Sequence, residues 1–402
     1  MHNERYAGSS RDRVLGLAAV LASTAGLGLS YGIGYTVTTV RFAEWGAAGW
    51  LVGLAGAVPA LAVVLLVPFA PRLVARVGAV PAMVAGAALV GATFLLMPVL
   101  EGVGWWLLLR LLSGAGLTLP WLVGETWINT VVPDRVRGRV LAVYAMLLFS
   151  GWAAGPLVLE RTGTDGWAGY LVGAGATVVL CVPLVAARRL APAVGSSGRF
   201  SPRTVAALAP LALAAAVVGG VAEFGWISLL PAYALDAGAG STASLRLLTV
   251  LLVGGILLQP LVGWLADHVD RTQVLVGLGA ALAVVSTALA PVVAAAGPAA
   301  FAVAFVLGGV VMGFYAVGLT MLGEQVPPAV LAAANGAFLV AYETGATVGP
   351  VLGGAATDLW RPHGLVVLVA AVGVAFAVLA PRLASRPAPE PGERPRARSL
   401  PA

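Results

Sequence analysis

The sequence predicts an all-α integral membrane protein, with 12 transmembrane helices arranged as two pseudo-symmetric six-helix halves. Three observations predict it. Sixty per cent of the 402 residues are hydrophobic, 10% are charged, and mean hydropathy is +0.96, whereas a soluble domain carries about 25% charged residues. Apolar runs of the length needed to cross a bilayer, about 20 residues, recur twelve times. Glycine and turn motifs also return at nearly one spacing along the chain.

The spans are expected at 14–38, 47–68, 81–99, 105–131, 138–159, 166–186, 205–234, 245–266, 273–294, 298–325, 332–356 and 364–384. Met1 to Ser10 is too polar to be the core of a cleaved signal, so the first run is expected to stay as a span. The chain then divides into an N-terminal tail (1–13), a first half (14–186), a linker (187–204), a second half (205–384) and a Pro- and Arg-rich tail (385–402) expected to be disordered. The linker holds Arg188, Arg189, Arg199 and Arg203.

Arginine placement gives the orientation, since cytoplasmic loops collect positive charge. All 23 basic residues are Arg. With a cytoplasmic N-terminus, 18 of them fall in inside segments. Only Arg41, Arg161, Arg246 and Arg361 fall outside, and Arg110 lies within a span. Both termini are therefore expected inside a bacterial cytoplasmic membrane. The pI of about 10.0 arises from these loop arginines and does not indicate a nucleic-acid surface.

The repeat has two parts. Pro71-Arg-Leu-Val-Ala-Arg-Val-Gly78 follows the second span as Gly263-Trp-Leu-Ala-Asp-His-Val-Asp270 follows the eighth, an offset of 192. Gly151-Trp-Ala-Ala-Gly155-Pro156 in the fifth span answers Gly345-Ala-Thr-Val-Gly349-Pro350 in the eleventh, an offset of 194. Gly-x-x-x-Gly alone is common wherever membrane helices pack closely; the matching offsets carry the argument for two parallel six-helix halves. That is a transporter architecture with its site between the halves.

These residues resemble the major facilitator superfamily over nearly the whole chain. Its cytoplasmic motif, Gly-x-Leu-Ala-Asp-Arg-x-Gly-Arg-Lys, is matched after the eighth span by Gly263, Leu265, Ala266, Asp267 and Arg271, with His268, Asp270 and Thr272 departing from it. The copy after the second span keeps Leu73, Arg76 and Gly78, but has Pro71 for Gly and Ala75 for Asp. In that family the Asp contacts a neighbouring helix end and helps to hold the outward-facing state, so the resemblance implies that the first half here lacks this contact. Arg110-Leu-Leu-Ser-Gly114-Ala-Gly116 looks like the Arg-x-x-x-Gly-x-Gly signature of proton-coupled members. Gly124-Glu125-Thr126-Trp127-Ile128-Asn129 ahead of Arg137-Gly-Arg139-Val-Leu-Ala-Val-Tyr144 is similar to the YcaD-like branch.

Charges inside spans mark the candidate mechanism, because each costs about 2.5–3.5 kcal/mol at a helix centre. Glu343 falls mid-span and Glu223 in the middle to outer part of the seventh span. Either carboxylate could take a proton in one state and release it in another; a permanently protonated, hydrogen-bonded glutamate is the plainer alternative. Arg110 cannot neutralise itself and is read as tuning a nearby acid or clamping two spans. Tyr31, Tyr35, Trp121, Trp226 and Tyr342, with Trp152 and Tyr315, are candidates for the cavity wall or for ordinary packing. A cytoplasmic gate is expected from Asp267, Arg271 and Gly263 with Glu125, Arg76, Arg137 and Arg139. Gly114, Gly116, Gly151, Gly155, Pro156, Gly345, Gly349 and Pro350 are expected to serve helix packing and bending.

The expected function is secondary active transport of small organic molecules by alternating access. Proton-coupled efflux of an apolar or amphipathic solute leads, proton-coupled uptake follows, and a non-transporting receptor or scaffold on the same fold is more remote. An ATP-driven pump is excluded, since a phosphate-binding Gly-x-x-x-x-Gly-Lys loop needs a Lys. An enzyme is not expected: no His lies in a span, Cys181 has no second cysteine, and no paired Asp motif appears. No cofactor or metal is expected. The partners are the lipid bilayer, the small-molecule substrate and protons, for a chain expected to act as a monomer.

Overall fold

The computed structural model describes residues 10–191, 208–326 and 331–384, and they are helical almost throughout. The extreme N-terminus, most of the expected linker and the C-terminal tail lie outside the described residues. The helices are α1 (Ser10–Glu44), α2 (Gly49–Leu66), α3 (Ala70–Val77), α4 (Ala79–Leu96), α5 (Val103–Val131), α6 (Asp134–Thr162) and α7 (Ala168–Ala186) in the first half. The second half has α8 (Pro210–Asp236), α9 (Ser241–Leu257), α10 (Gln259–His268), α11 (Arg271–Leu289), α12 (Pro298–Gln325), α13 (Leu331–Leu359) and α14 (Gly364–Ala384).

Among the described residues, eleven helical segments are long and apolar enough to cross a membrane, with α9 and α10 forming one of them. The twelfth expected span is α13. It is 29 residues long but less apolar, because Tyr342, Glu343, Thr344, Thr347 and Pro350 interrupt its hydrocarbon side chains. Its polarity is tolerable because α13 is packed against α8 and α2 and not left to lipid on all sides.

Two breaks lie near the expected span ends. The stretch after the second span forms the short helix α3, with Pro71 in its first turn, where its missing N–H costs nothing. Gly78, at φ +93°, then ends that helix in a conformation that disfavours any side chain. The span expected over 245–266 stands as one segment, Ser241–His268, interrupted only at Leu258, ahead of Pro260, which cannot supply the N–H a continuous helix would need. Pro68 occupies the matching break between α2 and α3, so the 192-residue repeat extends to the breaks themselves.

The second repeat performs one task twice. A Cβ placed on Gly151 or Gly155 would lie 2.6 Å from the Ala25 carbonyl oxygen and 2.3 Å from the Gly32 carbonyl carbon, so α6 can approach α1 only through glycine. A Cβ on Gly345 or Gly349 would lie 2.2 Å from the Val217 oxygen and 2.4 Å from the Val221 oxygen, giving the same approach of α13 to α8. Gly114 packs on the backbone of Pro59 and Gly116 on that of Gly86, drawing α5 onto α2 and α4. Close backbone approach of this kind is how helices gain van der Waals contact where lipid offers no hydrophobic driving force.

The two halves meet along α2 with α13 and along α6 with α9. Chain alternation places Ser10, α3, His268 and Ala384 at one end of the bundle, the terminal end. Glu44, Gly49, Thr162 and Leu359 lie at the other, the distal end.

Candidate functional site

An aromatic ladder crosses from one half to the other. Phe149 stacks on Trp152 at 6.1 Å between centroids, and Trp152 meets Tyr31 at 5.3 Å and Tyr35 at 5.5 Å. Phe224 on α8 touches Tyr35 and Trp152, both at 5.9 Å, and Tyr342 on α13, also at 5.9 Å. Tyr342 then meets Tyr315 at 4.8 Å, and Tyr315 meets Phe338 at 5.4 Å. Edge-on and offset contacts of this kind contribute roughly 0.5–1.5 kcal/mol each beyond the area they bury.

The buried charges lie along this ladder. Arg110 is 1% exposed; its guanidinium sits 4.4 Å from the centre of the Tyr35 ring, and Nε donates to the Ala55 carbonyl at 3.4 Å. A cation over a tyrosine face in a dry site is stabilised by the ring quadrupole. Gly34 makes room for the guanidinium, since a Cβ there would lie 2.8 Å from Nη1. The Glu223 carboxylate, 2% exposed, accepts a 2.6 Å hydrogen bond from the Tyr342 hydroxyl. Glu125 accepts from Trp121 Nε1 at 2.9 Å.

Glu343 differs from these. It is 5% exposed, and its carboxylate has no hydrogen-bond partner among the described residues. It lies within electrostatic reach of Glu223 on its own half and of Tyr31 and Tyr35 on the other. Glu125 lies within similar reach of Tyr31 and Tyr144, and of Tyr315 across the interface. The structure thus gathers Glu343, Glu223, Arg110, Tyr342, Tyr31 and Tyr35 around one region between the halves, with Glu125 and Trp121 bordering it.

Trp226 stands apart. It is fully buried and packs against Tyr233 at 5.8 Å, away from the ladder contacts. The gate residues are also divided. Asp267 and Arg271 line one surface cleft together with Glu324, and the Arg271 guanidinium is ion-paired with Glu324. That pair joins α11 to α12 within one half, whereas Glu125 is held by Trp121 on α5. Gly263 has open space where a Cβ would point. Arg76 is exposed in the last turn of α3, Arg139 is exposed near the start of α6, and Arg137 Nη2 donates to the Val132 carbonyl at 3.2 Å.

Sequence reading missed the contacts at the distal end. Asp358, in the last turn of α13, accepts from the backbone N–H of Gly49 at 2.6 Å and of Trp50 at 2.9 Å. Arg246 on α9 pairs with Glu160 on α6 at 2.6 Å. Thr39 donates to the Ser228 carbonyl at 2.7 Å, and Thr249 reaches the Ala153 carbonyl at 3.4 Å. All four contacts cross between halves. The available signal was a lone acid near the end of each of two pseudo-equivalent spans, Glu160 and Asp358.

Comparison with known proteins agrees with this architecture. The Major Facilitator Superfamily model matches residues 237–402, and the MFS_1 like family model matches residues 13–158. The MFS-type transporter YcaD of Escherichia fergusonii is 24% identical over 287 residues, covering 68% of this chain and 71% of its own length. YcaD of Escherichia coli is 27% identical over 229 residues, 55% of this chain and 57% of its own. Among solved structures, the nucleoside transporter NupG superposes with a TM-score of 0.72 at 13% identity over 92% of this chain and 99% of that one. A bacterial homologue of the human lysosomal transporter Spinster, in an inward-facing and unoccupied conformation, gives 0.69 at 16% identity over 94% and 98%. At these identities the structural likeness speaks to the fold, and the two family models match most of each half, one model per half: the chain belongs to the major facilitator superfamily.

Proposed function

We propose that this chain is a secondary active transporter that exports small apolar or amphipathic molecules in exchange for protons. Movement of small molecules across a membrane follows from the family; direction, coupling and solute chemistry are the proposal. In this reading the halves rock about the aromatic ladder, both termini are cytoplasmic, and the chain acts as a monomer in a bacterial cytoplasmic membrane. The clasped distal end then faces outward.

One observation carries the coupling: Glu343, a residue only 5% exposed at the junction of the halves, has a carboxylate without a hydrogen-bond partner among the described residues. A buried ionised carboxylate without a partner is too costly to keep as a purely structural feature. Glu223, which accepts from Tyr342, the residue just before Glu343, is the second proton site in this reading. The ladder supplies a wall suited to apolar and aromatic solutes, with few fixed charges to bind a strongly polar one.

The test uses inverted membrane vesicles containing the full chain and a panel of amphipathic solutes. The expected result is solute accumulation only when the vesicle interior is acid. Glu343→Gln should lose that proton dependence while still binding the solute. Unchanged proton dependence in both Glu343→Gln and Glu223→Gln would overturn the coupling assignment.

A further inference from the structure

The geometry points to Asp358 as a positioning residue for the transport cycle: its carboxylate clasps the first turn of α2 in the opposite half and sets how often the distal end opens. This inference rests on the alternating-access reading, and concerns which bond controls the outward gate.

Four observations support it. First, both Asp358 oxygens are engaged, Oδ1 with the Gly49 N–H at 2.6 Å and Oδ2 with the Trp50 N–H at 2.9 Å. The first four N–H groups of a helix have no partner within it, and the helix dipole adds a partial positive charge there. A carboxylate placed on two of them makes charge-assisted bonds, the stronger class. Second, these two bonds span the halves, between partners 309 and 308 positions apart in sequence. They therefore cannot persist if the distal ends of α2 and α13 separate.

Third, the surrounding seam is built for closeness. A Cβ on Gly354 would lie 2.0 Å from the Gly49 oxygen, and one on Gly53 would lie 2.0 Å from the Pro350 oxygen. Glycine at these positions lets the two backbones touch, which brings the α2 amides within reach of a side chain as short as Asp. Fourth, the clasp is breakable. The Asp358 side chain retains 26% exposure and has Arg361 Nη2 3.5 Å from Oδ1, so water can take over its bonds on opening. A fully buried carboxylate would have no such substitute.

The clasp also complements the other end of the bundle. Ala75 stands where the repeated motif would place an acid after the second span. The same helix, α2, instead meets an acid at its distal N-terminus, supplied by α13.

The experiment places spin labels on opposite halves at the distal end, at Trp167→Cys and Thr242→Cys, in a Cys181→Ser background of the full chain in lipid nanodiscs. Both sites are exposed. Distance distributions are read alongside amide hydrogen exchange in the segment containing Gly49 and Trp50. Asp358→Asn should raise the open-to-closed ratio about tenfold, as expected for losing one charge-assisted bond, and accelerate exchange in that segment. Its thermal unfolding should stay near that of the parent, and Asp358→Glu should recover part of the closed population. Should Asp358→Asn fail to fold, Gly49→Ala attacks the same clasp from the other side, because its Cβ would lie 3.0 Å from Asp358 Oδ1 and 2.5 Å from the Gly354 oxygen. It should open the seam in the same direction. A parent distribution with an open population that neither variant changes would overturn the role of Asp358 and leave alternating access standing. A distal end that never opens in parent or variants overturns both.

Discussion

The two seams between the halves are related by the chain's own repeat, yet they are held by different physics. Along α2 and α13 the backbones nearly touch through Gly49, Gly53 and Gly354, and a carboxylate bonds directly to backbone amides. Along α6 and α9 the link is made by side chains: Arg246 with Glu160, and Thr249 with the Ala153 carbonyl. The glycines of α6 are used elsewhere, against α1 within the same half. One seam therefore depends on shape and fixed dipoles, and its counterpart on side-chain contacts, a partly solvated ion pair and a buried threonine. Pseudo-symmetry fixes which helices meet, and leaves open how tightly each pair is held.

That difference can be broken in order of expected effect. Gly53→Val should act most strongly, since its Cβ would stand 2.0 Å from the Pro350 oxygen. Backbone must shift, and overpacking of this kind costs about 1–3 kcal/mol. The check is loss of the closed distal distance together with a lower unfolding temperature. Asp358→Asn comes next, with the tenfold shift already described and little change in unfolding. Arg246→Gln should change the open-to-closed ratio by less than about twofold, because an exposed ion pair contributes little. That small effect should vanish in high salt, whereas the Asp358→Asn effect should persist. An Arg246→Gln shift as large as that of Asp358→Asn would erase the distinction between the seams.

A parallel contrast holds at the terminal end. Arg76, on the amphipathic α3, is exposed, whereas Asp267 and Arg271 share a cleft with Glu324. Asp267→Asn should slow interconversion between states, read by labels at the terminal ends, more than Arg72→Ala or Arg76→Ala does. The reverse ranking would return control of that end to the first half.

Much of the fold was legible in the sequence because hydrocarbon length is a local property. A run such as 298–325 is set by its own residues, and α12 follows it residue for residue. α13 shows where that signal weakens: the polar residues that dilute its apolarity include Tyr342 and Glu343, two of the candidate site residues. The repeats were legible as well, since Gly151 and Gly345 serve the same packing in each half. What the sequence could not show was lateral pairing. Asp358 drew no reading from the sequence, because its partners lie more than 300 residues away. Arg246 was counted as one outside arginine among four, with no sign of Glu160. Trp226 was open to either a wall or a packing role from the sequence, because which side of α8 an aromatic occupies depends on the neighbours it meets. Glu343 and Glu223 were visible because a carboxylate within an apolar run is conspicuous at any range.

The central claim is that solute crosses only if the distal seam opens. The direct test joins Trp50→Cys to Leu359→Cys with a short, reducible bifunctional thiol reagent, in a Cys181→Ser background. Both positions are exposed at the distal ends of α2 and α13. Proton-driven solute flux should stop on cross-linking and return on reduction. Flux that continues through a cross-linked seam would contradict the account.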